Sequence, residues 1–280
     1  MRIKIKSAWA RVNTPIMYLF FAVFAVSLFY SFYFRVQPLV DARGYDKIGW
    51  NLAQGVGYRE LTNVPLEQDL AMVRVGPGYE FFLALVYKIF GHRYEPVWLL
   101  QSILLALSAV LIYGITRDVF GPRWSVPLGL SAAALVGFSP DLITISSMLM
   151  TENLGIFFCI LALYLFMRAV RTEKVSLPFV LAAGIALAIT VLVRTPFLFL
   201  IPVAAAYLIM RKAYLPLAVA AVAVMIIWTP WTVRNYRGFH AFIPFNVNSG
   251  YNIAIGNHPG ATGEQDPMPG LQDYIDRVGV

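Results

Sequence analysis

The chain has 280 residues, of which 59% are hydrophobic and only 13% charged, and its mean hydropathy is +0.67. Soluble domains usually contain about 45–50% apolar and about 25% charged residues, so this composition excludes a soluble enzyme and indicates a polytopic membrane protein. The net charge of +7 does not indicate nucleic-acid binding, because the basic residues stand in short clusters between long apolar runs. The one cysteine and three scattered histidines show no metal-binding spacing.

Seven apolar runs predict membrane-spanning helices, since about 20 apolar residues cross the hydrocarbon. They are 16–34, 97–116, 124–147, 148–167, 175–193, 195–210 and 214–233. The predicted fold class is therefore all-α, a polytopic transmembrane helical bundle. A basic tail precedes the first run as in a signal peptide, but the length of the run and the lack of a small-residue cleavage site favour a retained anchor.

An eighth apolar run, 77–91, carries Glu80 and Lys88 and is too short to cross a core of about 30 Å. If it stays outside, the cytoplasmic segments hold half of the 22 basic residues but only two of the 15 acids, Asp118 and Glu173. If it crossed, every later loop would change sides and most of those cations would face outward. The positive-inside rule therefore favours seven spans, a cytoplasmic amino terminus and a juxtamembrane helix in the first outer loop.

This topology predicts two parts of the chain. Residues 1–233 form a transmembrane helical domain that includes an outer catalytic loop, 36–76. Residues 234–280 form an outer-face loop, expected to be the start of a truncated carboxyl-terminal portion. Because the cytoplasmic loops are short, any chemistry is expected on the outer face.

The first outer loop contains the main catalytic candidate. Its early part has helical spacing, with Tyr45 on the same face as two later apolar residues, and a Gly-x-Gly sequence ends the pattern. Asp41 stands a few residues after the first span, where a carboxylate can act as a general base at the bilayer surface. The plainer alternative is a solvated surface acid.

Further polar residues are predicted on the same outer face. They are Arg74, Glu152, Arg194, Arg234 and Asn235. Each arginine either pairs with a phosphate or snorkels as an interfacial anchor, and the glutamate either serves the site or caps its helix. Together these side chains at headgroup depth indicate a phosphorylated lipid as the ligand.

In the order and spacing of these motifs, the chain resembles the GT-C superfamily of polytopic glycosyltransferases. The resemblance is to the branch that includes protein mannosyltransferases and lipid A aminoarabinose transferases. The resemblance covers most of the chain. Its pieces are Asp41 with Tyr45, Gly55-Val-Gly57-Tyr58, Arg74-x-Gly-Pro77-Gly78-Tyr79, Arg117-Asp-Val-Phe-Gly121, Thr151-Glu152, Leu192-Val-Arg194-Thr-Pro196 and Pro230-Trp231-x-x-Arg234-Asn235.

The resemblance implies a sugar donor linked to polyprenyl phosphate, an acceptor hydroxyl on the outer face, and Asp41 as the base. Ala42 stands where the usual pattern has a second acid. Related chains normally continue through more spans, so this chain is expected to be C-terminally truncated.

We therefore predict a membrane glycosyltransferase of the bacterial inner (plasma) membrane with its active site facing outward. Asp41 takes the proton of the acceptor, the arginines neutralise the departing phosphate, and Tyr45, Glu152 and Asn235 bind substrate. The predicted partners are the polyprenyl-phosphate sugar donor and a lipid, glycan or protein acceptor. The sequence specifies no cofactor with certainty, and a divalent metal ion between carboxylate and phosphate is compatible with the site. The alternatives are a transporter or flippase of a lipid-linked precursor, which needs charges near the midplane, and an inactive membrane fragment.

Overall fold

The computed structural model describes residues 2–65, 68, 69, 76–247, 253, 256–258, 261 and 262, with side chains from residue 14 onward. These residues form ten α-helices and no strand, which confirms the predicted all-α class. The helices are α1 (Arg2–Phe34), α2 (Asp41–Ala53), α3 (Gly78–Phe90), α4 (Glu95–Val119), α5 (Ser125–Gly137), α6 (Pro140–Ser146), α7 (Thr151–Val170), α8 (Leu177–Val193), α9 (Leu200–Met210) and α10 (Tyr214–Phe239). A 3₁₀ turn, Thr195–Phe199, joins α8 to α9.

Four of the described helices are long and apolar enough to cross a membrane, namely α1, α4, α7 and α10. The predicted run 124–147 is not one straight helix, because α5 and α6 meet at an angle of 51°. Pro140 lacks a backbone N–H and its ring clashes with the preceding helical turn, so α5 ends at Gly137 and a new helix begins. Helix α8 and the segment Thr195–Met210 are apolar but shorter. All seven predicted runs are thus helical, while the number of crossings stays a prediction.

The segment between α1 and α4, which the sequence predicts to be the first outer loop, contains the two short helices that the sequence pattern indicated. Helix α2 begins at Asp41 and is followed by Gly55 and Gly57, whose φ angles of +79° and +104° lie in the region that glycine adopts most readily. Helix α3 has 13 residues and packs lengthwise against α2. A side chain at Gly49 would lie 2.7 Å from Leu83 Cβ, so glycine allows this close packing.

The main hydrophobic core lies where α2, α3, α4, α7 and α8 meet. It includes Tyr45, Tyr79, Leu83, Val97 and Val193, all at most 6% exposed. Many apolar side chains elsewhere on the long helices are exposed, as expected for surfaces that face lipid tails of similar polarity. The largest cluster of buried apolar residues in the described part of the chain therefore includes α2 and α3.

The beginning of α3 packs directly against the end of α8. A Cβ at Gly78 would lie 2.6 Å from Val193 Cγ2 and 2.9 Å from Val193 N, and a Cβ at Gly76 would collide with the carbonyl oxygen of Leu192. The Gly-Pro-Gly sequence therefore serves a close backbone approach. That approach places α3 next to Arg194, the residue that follows α8.

We expect Gly78→Ala to destabilise the protein by about 1–3 kcal/mol, because the backbone at Val193 cannot move aside as a flexible side chain can. Thermal unfolding in detergent measures the effect. Gly121→Ala is the matched control, since a Cβ at Gly121 meets no atom within 4 Å. Equal unfolding midpoints for the two variants would contradict the close-approach argument.

Candidate active site

Tyr45 on α2 is the point at which several of the predicted site residues meet. Its side chain is 6% exposed, and burial is the largest cause of the raised pKa of its hydroxyl. The charges of Asp41, Glu80 and Glu152 raise that pKa further, whereas Arg194 lowers it. All four groups therefore lie within electrostatic reach of one phenol, although they come from α2, α3, α7 and the end of α8.

Arg194 and Glu152 form an ion pair on one side of this cluster. Arg194 Nη1 lies 2.5 Å from Glu152 Oε1, and the same nitrogen donates to Thr151 Oγ1 at 3.1 Å. The arginine stem lies against Gly155, whose absent Cβ would be 3.2 Å from Arg194 Cγ and Cδ. Both charged side chains stay partly exposed, at 33% and 26%, so the cluster opens toward solvent or headgroups.

Asp41 is the first residue of α2, one helical turn before Tyr45. It is solvent-exposed, and a carboxylate in the first turn is favoured by the helix dipole. The preceding residue, Val40, has a φ of +47°, which a β-branched residue rarely adopts. The chain thus turns sharply at the position that presents the carboxylate.

Glu80 is a carboxyl group that the sequence argument did not place in the site. It is fully buried, and burial raises its pKa to about 8, while its own backbone N–H and the nearby Tyr58 hydroxyl counteract this in part. Within the described residues neither carboxyl oxygen completes a hydrogen bond of good geometry, and the Tyr58 hydroxyl completes none either. Glu80 is therefore neutral near pH 7. The sequence signal was an ionisable residue inside an otherwise apolar run.

Arg234 lies on the other side of Tyr58. Its guanidinium stands over the rings of Tyr58, Trp231 and Phe239 at 4.9–5.7 Å from their centroids, and it donates to the backbone carbonyl of Tyr58 at 3.1 Å. It also donates to Asn235 Oδ1 at 2.8 Å. These contacts tie α10 to the first outer loop.

Asn235 is fully buried and engaged at both ends of its amide. Besides accepting from Arg234, it donates to the carbonyl of Ile243 at 2.9 Å. Trp231 donates to the Phe245 carbonyl at 2.8 Å, and Asn246 donates to Thr195 Oγ1 at 2.8 Å. The segment after α10 is thereby folded back beside the residue that follows Arg194.

Asp46 lies about one and a half turns after Asp41 on α2 and has its own set of hydrogen bonds. Its Oδ1 accepts from the Tyr87 hydroxyl at 2.6 Å and from His92 Nε2 at 2.8 Å, and its Oδ2 accepts from the Tyr94 hydroxyl at 3.0 Å. His92 also stacks on Trp50 at 4.7 Å. This carboxylate fastens α2 to the turn between α3 and α4, which fixes the helix that carries Asp41 and Tyr45.

Two further predictions for the site concern Arg74 and a divalent metal ion. Arg74 lies outside the described residues, so its predicted contribution stays a prediction. Among the residues that are described, no group of three or more His, Cys, Asp or Glu side chains is placed to hold a metal ion. The described residues therefore provide no ligand set for the divalent ion that the sequence argument allowed.

An apolar groove of about 480 Å³ lies between α7, α8, α9 and α10. Its lining includes Leu163, Leu208 and Met225 but no carboxylate or cation. The groove is therefore a feature of the lipid-facing helices, and the charged cluster around Tyr45 is a separate place in the fold.

The helices and the polar cluster define an integral, multi-pass membrane protein. The family model of dolichyl-phosphate-mannose-protein mannosyltransferases matches residues 74–233, more than half of the chain, and the chain belongs to this family. It is thus a glycosyltransferase family protein of the membrane, in a family that uses lipid-linked sugar donors. The match includes Glu152 and Arg194 but begins after Asp41 and ends just before Arg234. No individually curated protein matches the chain significantly.

We expect the stability of the protein to fall as the pH rises from about 4.5 to about 8, relative to a Glu80→Gln variant. In that interval the folded state keeps the Glu80 proton that the unfolded chain, with a pKa of 4.5, releases. The stabilisation is complete below the unfolded pKa and is lost as the pH approaches the folded pKa, by at most about 1.4 kcal/mol per pH unit.

Thermal unfolding at pH 5 and pH 8 in detergent provides the measurement. The advantage of Glu80→Gln over the wild-type chain should grow with pH, because glutamine stays neutral. Glu95→Gln, which removes a partly exposed carboxylate paired with Arg93, should show no such growth. Parallel pH profiles for the wild-type chain and Glu80→Gln would show that Glu80 is ionised when folded.

Proposed function

We propose that this chain transfers a sugar from a polyprenyl-phosphate donor to an acceptor hydroxyl at the outer face of the membrane. The observation that supports it best is the meeting of Asp41, Glu152 and Arg194 around Tyr45. A carboxylate and a cation near one phenol match the two ends of a group transfer, where a proton leaves the acceptor and a phosphate leaves the donor.

Asp41 is the general base in this proposal. It takes the proton of the acceptor hydroxyl as the oxygen attacks the anomeric carbon in a single displacement. Its exposure and its place at the start of α2 suit contact with an acceptor that arrives from the aqueous side. Tyr45, which lies within electrostatic reach of both Asp41 and Arg194, supplies a hydroxyl that can hold substrate.

Arg194 neutralises the departing phosphate. Among the residues that the structure describes, Glu152 and Thr151 both engage Nη1, so the other nitrogens of the planar guanidinium can pair with phosphate oxygens. Glu152 then orients the arginine. The pair is electrically neutral, so a lipid phosphate beside Asp41 calls for a second cation. Arg74, which precedes α3 by a few residues, is the candidate that the sequence offers.

In this proposal Arg234 and Asn235 support the site from outside, although the sequence alone predicted that they bind substrate. Their contacts hold the Tyr58 loop and the segment after α10 in place, and these pieces enclose the side of the cluster formed by Glu80 and Tyr58. Their substitution is expected to act through that packing. The acceptor can be a lipid, a glycan or a protein.

Asp41→Asn is expected to lower the transfer rate about 10²–10⁴-fold, because an amide cannot accept the proton. The assay measures sugar transfer by the full chain in proteoliposomes, with a panel of polyprenyl-phosphate sugars. Asp141→Asn is the control, since it removes another exposed carboxylate from the start of a short helix, α6. Near-normal transfer by Asp41→Asn would remove Asp41 from the base role.

Cysteines placed at Lys47 and Lys174, in a chain whose Cys159 is replaced by alanine, are expected to react with impermeant thiol reagents from opposite sides of the membrane. Both positions are exposed, one on α2 and the other between α7 and α8. Lys47 should label from outside intact cells and Lys174 only after permeabilisation. Labelling of both from the same side would overturn the outward-facing site.

A further inference from the structure

The side-chain amide of Gln101 links α3 to the break between α6 and α7. It is fully buried on α4, and its side-chain oxygen accepts from the Tyr79 hydroxyl at 2.9 Å. Its side-chain nitrogen donates to the carbonyls of Ser146 at 2.9 Å and Met148 at 2.8 Å. Its own backbone carbonyl accepts from Asn153 Nδ2 at 3.3 Å. The side-chain amide thus contacts α3 and the break after α6, and the backbone carbonyl of the same residue contacts α7.

The break between α6 and α7 explains why an amide is required there. The last carbonyls of α6 and those of the connecting residues have no partner within a helix. At membrane depth water does not replace such a partner, so the protein must supply one. A glutamine carries two N–H donors and a carbonyl acceptor on one group. The two backbone carbonyls fix the direction of the nitrogen, which leaves the oxygen for the Tyr79 hydroxyl.

The contacts of Gln101 lead to two groups of residues around Tyr45: one wall formed by α2 and α3, which carries Asp41, and a second wall formed by the start of α7, which carries Glu152 and holds Arg194. The Tyr79 ring meets the Tyr45 ring edge-on, with centroids 5.8 Å apart, on the wall that carries Asp41. Met148 lies three residues before Thr151, which begins α7 and holds Arg194 on the other wall.

We infer that Gln101 is a positioning residue that sets the separation between the wall with Asp41 and the wall with Glu152 and Arg194. Its catalytic consequence rests on the proposed function, while its structural consequence does not. Removing the amide breaks the hydrogen-bonded link between α3 and the α6–α7 break, while the packing of α3 against the end of α8 stays in place. Small misplacements of reacting groups cost far more in rate than in binding, so turnover should suffer more than donor affinity.

The kinetic test compares Gln101→Leu and Tyr79→Phe with Ser102→Ala. Ser102 is the next residue on α4 and is equally buried, but its hydroxyl pairs with Ser27 on α1, away from the site. We expect kcat to fall about 10–100-fold in Gln101→Leu, with donor KM within about threefold of wild type. Tyr79→Phe, which removes one of the contacts, should fall less, and Ser102→Ala should stay within about twofold.

The structural test is hydrogen exchange in detergent, which needs no activity. Gln101→Leu should speed amide exchange about tenfold at the start of α3 and at the α6–α7 break together, whereas Tyr79→Phe should affect only the start of α3. If Gln101→Leu does not fold, the Tyr79→Phe pattern decides the test. Exchange unchanged in both regions, or a kcat equal to that of Ser102→Ala, would overturn the positioning role.

The two tests separate the inference from the proposed function. If the wild-type chain transfers no sugar while both regions respond to Gln101→Leu, the link between the walls stands and the transferase proposal fails. If the wild-type chain transfers sugar and Gln101→Leu matches Ser102→Ala in kcat, the positioning role fails and the transferase proposal stands.

Discussion

Polar groups near the hydrocarbon must find their partners inside the protein, because lipid offers neither hydrogen bonds nor solvation to a charge. The architecture of this chain follows from that constraint. The long helices satisfy their own backbones, so their surfaces can be apolar throughout. Wherever the backbone breaks, as between α6 and α7, a buried side chain such as Gln101 has to supply the missing donors. The polar network of the protein is therefore concentrated where the helices end or break.

The same constraint explains why the best-packed core adjoins the candidate site. Apolar side chains gain little by leaving lipid for one another, so the middle of the bundle is loosely buried, and α10 in particular exposes much of its surface. Beside the first outer loop, two short amphipathic helices leave water and must pack. Glycines at 76 and 78 let α3 reach the backbone just before Arg194, so the packing of the loop also fixes the position of that cation.

Electrostatics then distinguishes carboxyl groups that look alike in the sequence. Asp46 is saturated by two tyrosines and a histidine, so it holds α2 in place. Glu80 is buried and neutral near pH 7, and Glu152 is paired with Arg194. Asp41 remains as the exposed carboxylate beside Tyr45. Four acids within or next to one fold region thus have four different environments, and only one of these environments suits a base that meets an incoming hydroxyl.

The sequence by itself determined the membrane class, the helical runs, the short helices α2 and α3, and the importance of Asp41, Glu152 and Arg194 as candidates. These depend on composition, local periodicity and the exclusion of charge from hydrocarbon, which can be read along the chain. Only the tertiary structure decided that Glu80 is buried, that Gln101 joins α3 to the α6–α7 break, and that the α5–α6 run is bent.

The contact between Arg234 and the Tyr58 carbonyl shows why the rest could not be predicted. It joins residues 176 positions apart and gives the arginine a backbone partner in the loop after α2, although an arginine at the end of a span is equally typical of a phosphate ligand. A short motif specifies which groups are present, but the partner of each group depends on which helices pack together. That packing is decided by the summed contacts of the whole chain, so the partners of Arg234 and Asn235 became visible only in the folded protein.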